Sequence, residues 1–423
     1  MEVRPGYQQT AVGVIPIDWR AVAAADFVDP SAPICYGVVQ VGRNVDSGVP
    51  IVAIKFVKEI NRAPLHRTSI ELERPYARSR VKSGDVLISI KGTIGRVGLV
   101  PGGFVGNISR ELARLRPRQD YCGEYIAHQL ESVSTQARIA RAVVGTTRQE
   151  FSIATLRLFE IPVPATLVEQ RAVATALSDV DELLTGLDRL IAKKRDLKQA
   201  AMQRLLTGKT RLPGFQGEWK RLPLGTVVAD LEAGVSVNSV MGGDHFSLGE
   251  PGILKTSCVA NGVFDPEEFK LIDQREISRA RLSPRQNTLI ISRMNTPNLV
   301  GEVGFVEQDY PNLFLPDRLW MTRFRPDSGL WPKWLAYQMS SPITQVAIKD
   351  LASGTSGSMK NISKSKLLAL PLDFPPPAEQ AAIASFLSDM DAELAAIEAR
   401  RDKICALKQG MMQELLTGRT RLV

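Results

Sequence analysis

Residues 170–212 and 380–422 align without a gap at an offset of 210 and share about half their residues. Solenoid repeats recur every ~20–50 residues, so a period this long marks a duplicated half-protein. Weaker echoes keep the same order. Arg114-Leu115-Arg116-Pro117 matches Arg323-Phe324-Arg325-Pro326, residues 124–129 match 333–338, Leu87-Ile88-Ser89 resembles Ile290-Ile291-Ser292, and Trp19 and Trp219 open the two halves. Any fold must therefore be built twice: a globular part, a long helix, a globular part, a long helix.

In the first copy Val173, Leu177, Val180, Leu184, Leu187 and Ile191 alternate steps of four and three; Ile383, Leu387, Met390, Leu394 and Ile397 do so in the second. That spacing predicts a helix-pairing seam. Two similar helices in one chain can pair antiparallel about an approximate two-fold. Arg401 stands where the first copy has Ile191, and Lys194 where the second has Ile404. These charges either fix register or are tolerated beside a wet seam. The prolines at 162, 164, 371 and 375–377 bar a helix from upstream, so the helices are expected to start near Glu169-Gln170 and Glu379-Gln380. Gly208 and Gly418 suit left-handed C-terminal residues. Residues 168–206 would span roughly 60 Å as one helix.

The two globular parts read as β-rich. Strands are expected at residues 36–41, 49–56, 86–90 and 97–100, and again at 253–259, 288–292 and 303–306. The predicted fold class is α+β, an internal pseudo-two-fold repeat of two β-rich domains separated by two long helices that pair as an antiparallel coiled coil. The expected boundaries are 1–160 and 213–368 for the domains, 161–212 and 369–423 for the helical segments.

A hydrophobic share of 44% and a charged share of 23% describe an ordinary folded chain. The formal charge of +8 favours a polyanionic partner only modestly. Four scattered cysteines and three histidines show no ligand spacing, so neither a metal site nor a disulfide framework is expected. No run approaches a membrane span and the start has no leader pattern, so the expected location is the cytoplasm, away from membranes.

Loops carry the more pointed chemistry. Residues 91–96 and 293–298 follow corresponding strands, and residues 145–150 and 356–361 precede the prolines in each half. They hold Lys91, Thr93, Arg96, Arg148, Gln149, Arg293, Asn295, Asn298, Lys360 and Asn361. Arg and Lys can bond a guanine edge and Asn and Gln an adenine edge in the major groove, so these residues are candidate DNA contacts; each loop can equally be an ordinary turn. No catalytic residues are expected. The chain has no G-x-x-x-x-G-K, G-x-S-x-G or H-E-x-x-H motif, no glycine-rich cofactor loop opening a helix, and no Asn-Pro-Pro or Asp-Pro-Pro tetrapeptide.

With its two proline-led Glu-Gln helix starts, two Leu-Leu-Thr-Gly-x-Thr-Arg-Leu ends, the segment Pro213-Gly214-Phe215 leading to Trp219, and Gly84-Asp85-Val86-Leu87-Ile88-Ser89, the chain resembles the specificity subunits of Type I restriction-modification systems. The resemblance covers essentially the whole chain. It implies two target-recognition domains, each reading half of a bipartite, asymmetric site on double-stranded DNA. It further implies helices that set the unread spacer and dock two methyltransferase subunits, with restriction subunits joining the assembly. S-adenosylmethionine and ATP would then belong to those partners, leaving this chain without cofactor or catalytic centre. The second copy ends at Val423 without the Pro-Gly-Phe continuation, as if the opening residues stood in its place and the repeat were circular. Rival readings are an enzyme with a divergent centre, a protein-protein scaffold, and the recognition subunit of another restriction class.

Overall fold

A computed structural model describes residues 4–143, 149–240, 250–260, 262–354 and 359–423. The chain divides into two units, and neither follows the linear order of the repeat. Unit 1 comprises residues 1–189 with 398–423, and unit 2 comprises residues 190–397. Each unit thus contains part of both long helices, α3 (Leu167–Leu205) and α6 (Pro377–Leu415).

In unit 1 the described residues form a sheet in which Leu112–Leu115 lies between Cys35–Tyr36 and Val86–Ser89, with Val97–Leu99 beyond. Every residue of Val86–Ser89 and Leu112–Leu115 is buried, as expected for strands covered on both faces. A helical hairpin packs beside them, α1 (Gly123–Glu131) and α2 (Val133–Ala142). Unit 2 repeats the plan: Leu289–Ser292 lies between Leu319–Phe324 and Val303–Phe305, and α4 (Pro332–Ser340) and α5 (Pro342–Asp350) form the hairpin.

Three expected strands are shorter than the apolar runs suggest, and residues 253–259 give only the strand Gly252–Leu254 before a 3-10 turn at Thr256–Cys258. Residues 36–41 yield only Cys35–Tyr36, because the chain then crosses the backbone at Ile108. A Cβ on Gly37 would lie 1.8 Å from the Ile108 carbonyl oxygen, and the Val38 amide donates to that carbonyl at 2.8 Å. Residues 49–56 give the strand Val49–Val52 and then a 3-10 turn at Ile54–Phe56.

The helix ends are embedded in the unit cores. Val173, Ala174, Leu177, Leu415 and Leu416 join the core of unit 1; Leu205, Leu206, Ile383, Ala384 and Leu387 join that of unit 2. Helix α6 begins at Pro377, two residues before the expected start, since proline is well suited to a first helical turn whose N–H has no partner. Gly208 and Gly418, at φ +67° and +68°, end the helices in the left-handed region.

Away from the cores the seam is wetter. Leu187 and Ile191 remain buried, whereas Val180, Leu184, Met390, Leu394 and Ile397 are half-buried. Charge supplies the register. In unit 1 Lys408 meets Asp181 at 2.6 Å and Arg401 meets Asp188 at 3.1 Å, so numbering rises on α3 as it falls on α6. In unit 2 Lys194 meets Glu393 at 2.6 Å and Lys198 pairs with Asp391. The helices are antiparallel in each unit. Lys194 and Arg401, the residues that interrupt the apolar pattern, are both ion-paired.

The duplicated Glu-Gln and Thr-Arg-Leu motifs find each other. Glu169 and Glu379, 2% and 0% exposed, receive the guanidinium groups of Arg421 and Arg211. Each arginine also lies over a tryptophan, Arg421 on Trp19 and Arg211 on Trp219. The adjacent glutamines complete the joint. Gln170 accepts from the Cys122 amide and Gln380 from the Trp331 amide, both at 2.9 Å, while their own amides donate to Pro164 and Pro375 carbonyls.

Candidate nucleic-acid interface

The described residues of the loops singled out in the sequence meet pairwise within each unit. In unit 1 the loop after Val86–Ser89 lies beside the segment before the prolines through a Lys91–Glu150 antiparallel bridge, and the Phe151 amide donates to the Ile90 carbonyl at 2.9 Å. In unit 2 Met294 and Asn295 pair antiparallel with Asn361 and Lys360, and the Ile362 amide donates to the Arg293 carbonyl at 2.9 Å. Phe151 and Ile362 are buried anchors, 0% and 1% exposed. Two loops held at the surface by one buried anchor form a short ribbon, a shape that a DNA major groove can admit.

The candidate side chains divide by placement. Thr93, Arg96, Gln149 and Asn298 are exposed and Lys91 is half-buried, its ammonium 3.3 Å from the Glu150 carboxylate. Arg148 lies outside the described residues. Lys360 donates to the Gly354 carbonyl at 2.9 Å. Arg293 lies 5.5 Å over the Trp320 ring, and with Asn361, Ser363 and Lys364 it lines a cavity of about 380 Å³. Asn295 is turned inward at 8% exposure, donating to Ser292 Oγ at 3.1 Å and accepting from the Thr296 amide at 2.8 Å. Its side chain shapes the loop from within.

Other basic residues are committed to the protein itself. Arg80 is bidentate to the buried Glu73. Arg116 bonds Asp85 twice at 2.7 Å, giving that aspartate the partner its sequence neighbours do not reveal. Lys364 is paired with Asp230, whose carboxyl it holds below the usual range. Of the candidate basic side chains at the loops, Arg96 is the one that is exposed among the described residues.

One feature of the site was not anticipated from the sequence. Ser132-Val133-Ser134-Thr135-Gln136 and Ser341-Pro342-Ile343-Thr344-Gln345 share Ser-x-x-Thr-Gln at an offset of 209. The serine caps each second hairpin helix, accepting from the Thr135 and Thr344 amides. The glutamine then reaches the loop after the strand, donating to the carbonyl of Gly95 in unit 1 and of Gly301 in unit 2. A search for repeated polar spacings, rather than for base-reading residue types, would have found it.

Among the described residues, no group of three His, Cys, Asp or Glu side chains converges as a metal cluster, and no helix is long and apolar enough to cross a membrane. Burial pushes the Cys122 thiol up to about 11 and that of Cys258 higher still, a setting that disfavours thiolate chemistry.

The family model described as the Type I restriction modification DNA specificity domain matches residues 44–194 and 287–405. The chain belongs to the Type I restriction-modification DNA specificity family. Both matched stretches of this specificity-family chain contain a candidate loop and part of a long helix. The specificity subunit of the Type I restriction enzyme EcoBI from Escherichia coli is 26% identical over 202 residues, covering 46% of this chain and 42% of that protein. The EcoKI specificity subunit from Escherichia coli (strain K12) is 25% identical over 313 residues, covering 71% and 66%. The alignments thus span less than two thirds of both curated relatives. A crystal structure of the Type I restriction-modification S subunit from M. genitalium superposes with TM-score 0.61 at 13% identity, covering 98% of each chain. At that identity the likeness concerns the fold alone.

Proposed function

We propose that this chain is the DNA-specificity subunit of a Type I restriction-modification complex, each unit reading one half of a split, asymmetric target. The observation carrying the reading is the duplicated ribbon. Two loops rich in Lys, Arg, Asn, Gln and Thr are brought together at the same place on the same frame in both units, yet differ in sequence. A shared frame with unlike loops is what reading two different half-sites requires.

In this reading the chain performs no bond-making step. Methyltransferase subunits dock on the paired helices and restriction subunits join them, while S-adenosylmethionine and ATP are bound by those partners. The helices act as a spacer between the half-sites. Half-sites read from one face of DNA should be spaced by about a helical turn, ~34–36 Å, or a multiple of it. The register-fixing ion pairs support the spacer role, because a helix pair that slipped would alter the unread gap.

The test is selection of random DNA duplexes by the full chain with its co-purifying methyltransferase, followed by sequencing. A split, asymmetric consensus with a fixed gap is expected. Retention without sequence preference by a folded complex would favour the scaffold reading instead, and methyl transfer by the purified chain alone would establish an enzyme.

A further inference from the structure

The reading loops differ in nearly everything except how they are closed. In unit 1 residues 90–94 lie between Ser89 and Gly95; in unit 2 residues 293–300 lie between Ser292 and Gly301, a loop three residues longer. Their interiors are held differently. Ser89 Oγ donates to the Thr93 carbonyl and accepts from the Arg96 amide, whereas Ser292 Oγ accepts from the Asn295 side chain. The ends coincide. The Gly95 amide donates to the Ser89 carbonyl at 3.0 Å, and the Gly301 amide donates to the Ser292 carbonyl at 2.7 Å.

Both closing glycines are buried, at φ +85° and +82°, where a side chain is strained. Space is lacking as well. A Cβ on Gly95 would meet Gln136 Oε1 at 2.5 Å, and one on Gly301 would meet Ile348 Cγ2 at 2.3 Å. The carbonyl of each is met by one glutamine amide, which has two hydrogens to give. Gln136 Nε2 donates to Gly95 O at 2.8 Å and to Leu130 O, at the end of α1, at 2.6 Å. Gln345 Nε2 donates to Gly301 O and to Met339 O, at the end of α4, both at 3.0 Å. One side chain therefore ties the loop's closing residue to the hairpin in each unit.

We infer that Gln136 and Gln345 are positioning residues for target reading, and that residues 90–94 and 293–300 are exchangeable inserts carried between fixed anchors. The inference rests on the DNA-reading function proposed above. Because the glutamine holds only the closing carbonyl, and the Phe151 or Ile362 amide only the insert's first one, the residues between can change in length and sequence without moving the strand or the helices. Divergence then falls within the insert, where Thr93 and Asn298 are exposed while Ile90, Asn295 and Val300 are buried.

The test uses the full chain with its co-purifying methyltransferase and random duplex selection. Gln136→Met and Gln345→Met keep side-chain length and apolar packing but remove the donors. The first variant should blur one half of the consensus and the second the other half, with discrimination at the affected half falling about tenfold or more. Non-specific retention and its salt dependence should stay unchanged. An intact consensus, or simultaneous loss of both halves, overturns the assignment. Replacing residues 90–94 by the segment 293–300 in the otherwise natural chain provides a second route should a methionine variant not fold. A folded graft with one altered half-site supports the insert, whereas an unfolded graft or an unchanged consensus refutes it. If the natural chain selects no split consensus, the DNA-reading function itself fails, a result distinct from these.

Discussion

Lys408 and Asp181 meet at 2.6 Å on the paired helices of unit 1, and the repeat offset of 210 maps this pair onto Asp391 and Lys198 in unit 2. An ion pair reproduced by the duplication marks the register in which the two helices meet. The Lys408 side chain is 16% exposed and that of Asp181 42%, so solvent screens the attraction only partly.

A double-mutant cycle on Lys408→Ala and Asp181→Ala should give a coupling of about 0.5–1 kcal/mol in denaturant unfolding. The exposed pair of Arg118 and Asp120, 47% and 60% exposed, should give about zero. Equal couplings for the two pairs would remove the register role.

Arg421 carries a larger share. It bridges the buried Glu169 and the exposed Asp18, and hydrogen bonds to Asp18 and then to Glu169 raise its pKa further above the ordinary value. Arg421→Ala would strand the Glu169 carboxylate without its cation, which should cost about 2–3 kcal/mol after allowance for a guanidinium one third exposed. Glu169→Gln should cost less, because Arg421 keeps Asp18. Unfolding of the two variants checks the order, and a reversed order would contradict it.

His128 makes unit 1 sensitive to acid. Burial, at 7% exposure, lowers its pKa; Asp181 opposes that shift and Lys408 adds to it. Nε2 lies 3.1 Å from Ser178 Oγ, while Nδ1 has no partner and stands 4.0 Å from Asp181. The unfolded chain takes up a proton near pH ~6.5 and the folded one only at lower pH, so stability falls as pH drops below ~6.5 and levels off below the folded value. Unit 2 has Tyr337 in this place, donating to Asp391 at 2.7 Å. His128→Tyr should therefore become progressively more stable than the natural chain between pH 7 and 5, read by thermal melts across that range. Parallel pH profiles would show that His128 does not titrate in this window.

Asn295 and Asn298 should separate by role. Removing the buried Asn295 side chain leaves the Thr296 amide and Ser292 hydroxyl without a partner, so Asn295→Ala should lower stability by about 1–2 kcal/mol. Asn298→Ala, at an exposed position, should leave melting unchanged and alter the selected DNA consensus in one half-site. Identical effects of the two substitutions would place both side chains in the same role.

The helices were legible because a seam of steps of three and four leaves few alternatives to a long amphipathic helix, and because Leu-Leu-Thr-Gly ends carry their own stop signal. The pairing of Lys194 and Arg401 was half legible: their breach of the apolar pattern was visible, but their acidic partners on the other helix, Glu393 and Asp188, lie about 200 residues away. The loops were legible as loops. That Lys91 would meet Glu150, and residues 294–295 meet 360–361, depends on how the sheet and hairpin fold back, which no local pattern encodes. Asn295 illustrates the remaining difficulty: its residue type suits base reading, whereas its burial follows from a serine hydroxyl three residues earlier that only the folded turn brings within reach.

The discontinuity of unit 1 has a bearing on how the protein is made. Unit 2 is one uninterrupted stretch, residues 190–397, whereas unit 1 needs residues 398–423, and with them Leu415 and Leu416, to fill its core. On a ribosome, domains tend to fold in order of emergence. Here the half encoded first must wait, its apolar surface open, while the half encoded second can close as soon as it leaves the exit tunnel.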